Sequence, residues 1–265
     1  MTEEEILAAA RHMAQARLGG PVTPRPAPAL APASMEQAYR VQFALEEILS
    51  AEGFGPVVGH KIGCTTPVMQ AYLSIDHPCA GQVHERFAFR ESGEISLAAH
   101  HHLGLEFEIA AILGEDLPPR DRPYDRESVA PAVLGLAGAI ELVEERYEDR
   151  ANFPPTLMVA DDFFNIGVVL GPPQEDWRDL DLEAIRGRAI VDGAVTGEGR
   201  GRDILGHPLE ALAWLASLRV ELGRPLRAGA FVMLGSVIQT QMFEAPARVE
   251  SDLAGLSRAV VQLVP

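Results

Sequence analysis

Lysine is almost missing from this chain: of its 22 basic residues, Lys61 is the only lysine. Basic residues as a whole are outnumbered by 38 acidic ones, a formal net charge of −16. With no basic stripe to neutralise phosphates, a nucleic-acid partner is not expected. No run of about 18 apolar residues occurs, so no membrane-spanning helix is expected either. The first residues, MTEEEILAAARHMAQARLGG, start acidic and read as an amphipathic helix rather than a secretory leader. Only two cysteines occur, Cys64 and Cys79. They stand too far apart for a local metal knuckle and, without an export signal, are expected as free thiols in a reducing, cytoplasmic setting.

What is present suffices for a folded domain. Hydrophobic residues make up 47% of 265, enough for a substantial core. Residues 3–18 read as a helix ending at Gly19-Gly20, followed by a proline-rich connector over 21–32 that crosses the surface extended. Ser34 reads as an N-cap with Gln37 completing a capping box. The helix behind it carries Ala38, Val41, Leu45, Ile48 and Leu49 on one face. From Pro56 the pattern changes to short apolar runs broken by Gly and Pro. Strands are expected over 57–62, 103–113, 137–143, 163–170, 188–195, 231–236 and 260–264, with helices over 66–73 and 208–222. Strands outnumber helices without regular alternation, which favours α+β. The expected organisation is a helical region over 1–55 and a β-rich catalytic domain over 56–265.

The chemistry concentrates on a few carboxylates. In the strand Leu105-Glu106-Phe107-Glu108-Ile109-Ala110, side chains two apart share a face. Glu106 and Glu108 therefore point the same way, about 7 Å apart. Both faces are otherwise apolar, so each glutamate is costly to bury unless it is protonated or holds a cation. A second apolar strand, Gly138-Ala139-Ile140-Glu141-Leu142-Val143, carries a third such carboxylate. Three hard oxygen donors on neighbouring strands suit Mg²⁺. The alternative is a pair of rim glutamates and one that starts the acidic run Glu144-Glu145. Lys61 lies in the apolar, glycine-flanked Val57-Val58-Gly59-His60-Lys61-Ile62-Gly63, unlike a solvated surface lysine, and a lysine's pKa can be moved by burial. Three adjacent histidines, His100–His102, cannot all face one ion on an extended chain. The glycines at 197, 199 and 201 follow a hairpin signal and do not open a helix, which argues against a dinucleotide loop. No G-x-S-x-G elbow exists.

At these residues the chain resembles the 2-keto-4-pentenoate hydratase and 4-oxalocrotonate decarboxylase branch of the fumarylacetoacetate hydrolase superfamily. The resemblance runs from about Met35 to Val264. Its carriers, in order, begin with Gly59-His60-Lys61-Ile62-Gly63, Met69-x-x-x-Leu73-x-Ile75-Asp76 and Glu106-x-Glu108. They continue with Ala139-Ile140-Glu141-Leu142-Val143, Val159-Ala160-Asp161, Leu205-Gly206-His207-Pro208, Pro225-Leu226-Arg227-Ala228-Gly229 and Leu234-Gly235-Ser236. The resemblance implies a mixed β-roll behind a helical N-terminal region. It implies Glu106, Glu108 and Glu141 as ligands of Mg²⁺ or Mn²⁺, with Lys61, Asp76 and Cys79 as catalytic candidates. Leu73, Asp161, Asp162 and Ser236 would contact a small 2-oxo acid. The implied reaction is hydration of a 2-hydroxy-2,4-dienoate in aromatic-type catabolism, with decarboxylation of a 2-oxo-3-enedioate as the alternative. A homo-oligomer, or a pairing with a related hydratase or decarboxylase subunit, catalytic or not, is the implied assembly. Three positions depart from the pattern. Cys79 follows Pro78 where relatives carry an acid. Asp162 stands where relatives carry an amide, and Gly104 stands where some carry an arginine. They point to a shifted substrate or reaction. Acylpyruvate hydrolysis needs a His/Glu pair, which His60 or His100–His102 would have to supply.

Overall fold

The computed structural model describes residues 1–19, 22–148 and 153–265. Helix α1 (Glu3–Arg17) opens on Thr2, whose hydroxyl accepts from the Glu5 N–H while the Glu5 carboxylate accepts from the Thr2 N–H. That reciprocal cap satisfies two otherwise orphaned amides. Ile6, Ala9, Ala10, Met13 and Ala14 form its buried stripe. Ser34 caps α2 (Met35–Leu49) as expected, but the Gln37 side chain accepts from Ala33 N–H rather than from the cap residue. The connector before it holds one 3₁₀ turn, Pro28–Leu30.

The chain continues through β1 (Val57–Gly63), α3 (Pro67–Leu73), β2 (Cys79–His84), β3 (Ala88–Arg90), β4 (Ser92–Ser96) and β5 (Leu103–Leu113). Next come α4 (Arg126–Val129), β6 (Val133–Glu144), α5 (Pro155–Ala160), β7 (Asn165–Leu170), β8 (Arg186–Val191) and β9 (Ala194–Arg200). It closes with α6 (Pro208–Glu221), β10 (Phe231–Phe243), β11 (Ala247–Leu253) and β12 (Ala259–Val264).

The strand expected over 103–113 forms with those bounds. That over 188–195 is instead two strands, because Asp192 and Gly193 both take positive φ (47° and 83°) and turn the chain into a hairpin. The strand expected over 163–170 starts only at Asn165, since Asp162, Phe163 and Phe164 are all left-handed. Strands β2, β3, β4 and β11 were not anticipated.

Two mixed sheets form. The larger runs β2-β1-β10-β5-β6-β7-β3 and the smaller β4-β12-β11-β8-β9. Pairs β1–β10, β3–β7 and β4–β12 are parallel and the rest antiparallel. Strands β11 and β12 pack against β6, making the β-roll. One face of β5 sends Phe107, Ile109, Ala111 and Leu113 into the main core. The other sends Ala110 into a smaller cluster with Ala139, Val168, Phe231 and Met233. Helices α1 and α2 share the main core, and the buried Gln42 amide on α2 donates to the carbonyls of Ala80 and Val159. Residue 55 thus marks a change from helix to strand, not a break in the core.

The glycines of 197–201 answer to packing. A Cβ on Gly199 would fall 1.6 Å from the Val237 carbonyl oxygen, and one on Gly201 1.9 Å from that of Leu182. They let β9 and its exit approach the backbone closely, and no phosphate loop is built.

Candidate metal centre and substrate cavity

Antiparallel pairing sets Glu106 on β5 directly opposite Glu141 on β6, and strand alternation puts Glu108 on the same face. Carboxylate oxygens of the three lie within 4.8 Å of one another. Glu108 and Glu141 are fully buried, and Glu106 is partly open to a cavity. Each is held from outside the triangle. The Gly235 N–H donates to Glu108 Oε2 at 2.9 Å, Asn165 Nδ2 to Glu141 Oε1 at 2.9 Å, and Thr240 Oγ1 to Glu106 Oε1 at 2.5 Å. Strand β10 reaches these groups because it is irregular, with register shifts between Met233 and Gln241. At its bulge Gly235 takes φ +124°, where a Cβ would meet the Thr65 hydroxyl at 2.4 Å. Bulges of this kind re-aim backbone groups beside functional sites.

Lys61 Nζ lies 2.9 Å from Glu141 Oε1, with both side chains buried. Burial alone would lower the lysine's pKa. Glu141 and Glu106 outweigh it and hold the group above its ordinary value, so it is an ammonium. Burial, reinforced by Glu141 and Glu106, pushes Glu108 well above the usual carboxylate range. Burial raises Glu141 too, with Lys61 opposing. Glu108 Oε1 and Glu141 Oε2 are buried and without a hydrogen-bond partner. Three carboxylates around one ammonium, with two orphaned oxygens, form a cluster that one divalent cation would neutralise and ligate; the donor set is all hard oxygen, as Mg²⁺ or Mn²⁺ requires.

The cluster opens on a cavity of about 660 Å³. Lys61, Glu106, Ser236 and Thr240 line it, as do Leu73 and its α3 neighbours Val68, Met69 and Tyr72. Phe163 reaches in from the left-handed turn 162–164, its ring 4.9 Å from the Lys61 ammonium. Glycines make room for this. A Cβ on Gly63 would touch the Phe163 ring at 2.8 Å, and one on Gly81 would meet the Asp162 carbonyl oxygen at 2.5 Å and Lys61 Cγ at 3.1 Å.

Of the residues singled out from sequence, the structure brings Lys61, Glu106, Glu108, Glu141, Leu73 and Ser236 to the centre or its cavity. The Ser236 hydroxyl is engaged by the backbone, accepting from Phe107 N–H at 3.0 Å and donating to Ile238 O at 2.6 Å. Asp76, Cys79, Asp161 and Asp162 do not line the cavity. Asp76 is exposed in the loop after α3. Cys79 is buried on β2, opposite Gly63 and near Cys64, which does face the cavity. Both thiols are free as expected, but the β1–β2 pairing brings together two cysteines that are distant in sequence.

Asp161 is buried under two guanidiniums. Arg17 Nε donates to its Oδ1 at 2.6 Å, Arg146 pairs with its Oδ2, and the Tyr147 hydroxyl donates to Oδ2 at 2.9 Å. Asp162 accepts from Gln82 N–H at 2.9 Å; burial raises its pKa to about 6 against the pull of Arg17. Gly104 pairs with Val143 and is crowded by Val143 and Met242, so a side chain there has little space. His60 is buried, and His100 lies 3.6 Å from Glu144; neither lines the cavity. Sequence reasoning missed Phe163, Asn165 and Thr240, which lie outside the motifs it used.

Residues 82–264 match the fumarylacetoacetate (FAA) hydrolase C-terminal family. The chain is 34% identical over 220 residues to a 2-keto-4-pentenoate hydratase of Paraburkholderia phymatum, covering 83% of this chain and 82% of that protein. It is 30% identical over 235 residues to a 2-hydroxyhexa-2,4-dienoate hydratase of Comamonas testosteroni, covering 86% of each. Among solved structures, it superposes on 4-oxalocrotonate decarboxylase from Pseudomonas putida G7, complexed with magnesium and adipate. The TM-score is 0.92 at 25% identity, over 100% of this chain and 99% of that one.

Proposed function

The chain belongs to the FAA hydrolase C-terminal family, and from that premise we propose that it is a divalent-metal-dependent hydro-lyase that adds water to a 2-hydroxy-2,4-dienoate. The observation that carries this reading is the buried Glu106–Glu108–Glu141 triangle with Lys61 beside it, open to a cavity. Named hydratase relatives over more than four-fifths of the chain support it. Glu106, Glu108 and Glu141 would hold the ion, Mg²⁺ in the first instance, as the structural neighbour's magnesium supports. When bound, such an ion acts as a Lewis acid toward a 2-oxo or enol carboxylate.

The rest of the chemistry falls to the protein's own groups. Ketonisation delivers a proton to C5 of the dienoate; water then adds across the conjugated double bond, its hydroxyl to C4 and its proton to C3. Negative charge develops at the 2-oxygen during the proton movements. Lys61, held as an ammonium by Glu141, steadies that charge at a site shielded from bulk water. Phe163 covers the ammonium and keeps water from competing for it. Asn165 and Gly235 fix the orientations of Glu141 and Glu108, the outer support that metal-ligating carboxylates need.

The test follows dienoate absorbance with Mg²⁺ present. The expected result is turnover that EDTA abolishes and Glu106→Gln removes; equal rates with and without EDTA would refute the reading. Decarboxylation of a 2-oxo-3-enedioate through the same enolate is the second reading, favoured by the TM-score of 0.92 to a decarboxylase. Measuring released CO₂ separates the two.

A further inference from the structure

Polar and apolar side chains both line the cavity. Lys61, Glu106 and Thr240 are among the first, with Met242 of β10 packed near Thr240. Among the second are Val68, Met69 and Tyr72 of α3; these three and Met242 are exposed by 77%, 41%, 75% and 50%. Eight large hydrophobic side chains are exposed among the described residues, and these are four of them. Such clustering on one cavity marks a binding surface rather than scattered surface residues.

Helix α3 has no buried residue, so it is not there to build the core. It is nonetheless held firmly. Thr66 Oγ1 accepts from Met69 N–H, Pro67 occupies the first turn, Ser74 ends it in a left-handed conformation, and Gln70 Nε2 donates to Cys64 O at 3.0 Å. A fixed helix that turns apolar side chains toward a cavity is a wall. The described residues offer a second carboxylate no basic partner. Lys61, already paired with Glu141, is the only basic side chain among them that lines the cavity. A volume of about 660 Å³ is of the size that holds drug-sized ligands, far more than a five-carbon acid fills.

We propose that this site selects 2-hydroxy-2,4-dienoates and their 2-oxo acid products that carry a large apolar substituent, alkyl or aryl, at the end remote from the carboxylate, and discriminates against a second carboxylate there. The specificity wall is Val68, Met69 and Tyr72 of α3. The proposal rests on the reading of the glutamate cluster as the metal centre that holds the 2-oxo acid head.

Calorimetric titration of the full chain in Mg²⁺ tests it without turnover. The probes are 2-oxopentanoate, 2-oxooctanoate, 4-phenyl-2-oxobutanoate and the dicarboxylate 2-oxooctanedioate. Burial of each added methylene is expected to tighten binding roughly fourfold, so that 2-oxooctanoate binds more than about tenfold tighter than 2-oxopentanoate. The phenyl acid should also gain, and the dicarboxylate should bind no better than 2-oxopentanoate. Tyr72→Ala and Met69→Ala should each shrink the ratio between the eight- and five-carbon acids. Equal affinity across the monocarboxylates, or preference for the dicarboxylate, would overturn the proposal and leave the metal-centre reading standing. Failure of every 2-oxo acid to bind with Mg²⁺ would instead remove the reading beneath it. If Tyr72→Ala changes the sedimentation coefficient and leaves the ratio intact, α3 is an interface between copies of the chain and the proposal falls.

Discussion

Replacing Glu108 by Gln separates the charge of this carboxylate from its shape. Glu108 is fully buried beside Glu106 and Glu141, with Oε1 unpartnered and only the Gly235 N–H on Oε2. An unpaired buried carboxylate costs several kcal/mol, and two like charges nearby add to it. The amide keeps an acceptor for Gly235 and removes the charge, so the metal-free variant should unfold at or above the temperature of the metal-free parent. Metal reverses the order. At a Mg²⁺ concentration of about 100 Kd, linkage adds about 2.7 kcal/mol to the parent. For a chain of this size each kcal/mol moves Tm by about 2–4 °C, so the parent should rise by roughly 5–10 °C. The variant, with a neutral ligand in place of an anionic one, should rise by less than about 2 °C. Scanning calorimetry of both proteins in EDTA and in Mg²⁺ measures all four values. A variant that keeps the full Mg²⁺ shift, or that is strongly destabilised without metal, would refute the assignment of Glu108 as a ligand.

Lys61→Met should reduce turnover by about a hundredfold or more, and Lys61→Arg should not restore it, because a planar, forked guanidinium does not reproduce a compact ammonium held between Glu141 and the Phe163 ring; an arginine variant above a tenth of parental kcat would count against the charge-steadying role. Asp161→Asn strips the anion from between the buried Arg17 and Arg146 and should cost about 3–5 kcal/mol in urea denaturation, where a loss under about 1 kcal/mol would show the network to be dispensable. With Mg²⁺ saturating, so that the glutamate cluster would be charged in the native state as it is in the unfolded chain, stability should fall on acidification from pH 8 to 5. Burial holds His60 and His84 below their ordinary value, so the stability present above about pH 6.5 is lost as the unfolded chain takes up protons that the native state refuses. Asp162 has the opposite sign: raised to about 6, it returns stability as pH falls from about 6, so Asp162→Asn should steepen the acid slope and a His60→Gln, His84→Gln double variant should flatten it, both read as Tm against pH.

The clustering of the three glutamates was legible because strand alternation is a strict rule. Once Glu106 and Glu108 were placed on an apolar strand, a shared face followed, and the isolated Glu141 on a second apolar strand asked for the same explanation. The sole lysine was legible as an exception to an otherwise arginine-only chain. The substrate-side residues were harder. Asp161 stood out as a motif acid, yet its partners Arg17 and Arg146 come from a helix 144 residues away and from the segment after β6. Nothing in local spacing announces a charge network assembled by tertiary contacts. Cys64 and Cys79 looked unrelated because the β1–β2 hairpin that joins them was invisible; its second strand, Cys79–His84, mixes Gly, Gln and His and lacks alternation. The Asp192-Gly193 turn was seen, but the strand reading ran through it.

These misread acids still bear on the centre, one step removed. Arg17 at the end of α1 grips both the carboxylate and the carbonyl of Asp161. Asp161 leads into three consecutive left-handed residues, Asp162, Phe163 and Phe164. Such a run stores strain of order 1–3 kcal/mol per residue and persists only where its surroundings over-determine it. The determinants are visible: Arg17 and Arg146 on Asp161, the Gln82 N–H on Asp162, and the bare Cα of Gly81 beneath the turn. What the strain achieves is the placement of the Phe163 ring over the Lys61 ammonium. The N-terminal helix is therefore coupled to Lys61 through a buried charge pair and one strained turn. On this geometry Asp161 and Asp162 support the turn that places Phe163 and do not themselves line the cavity.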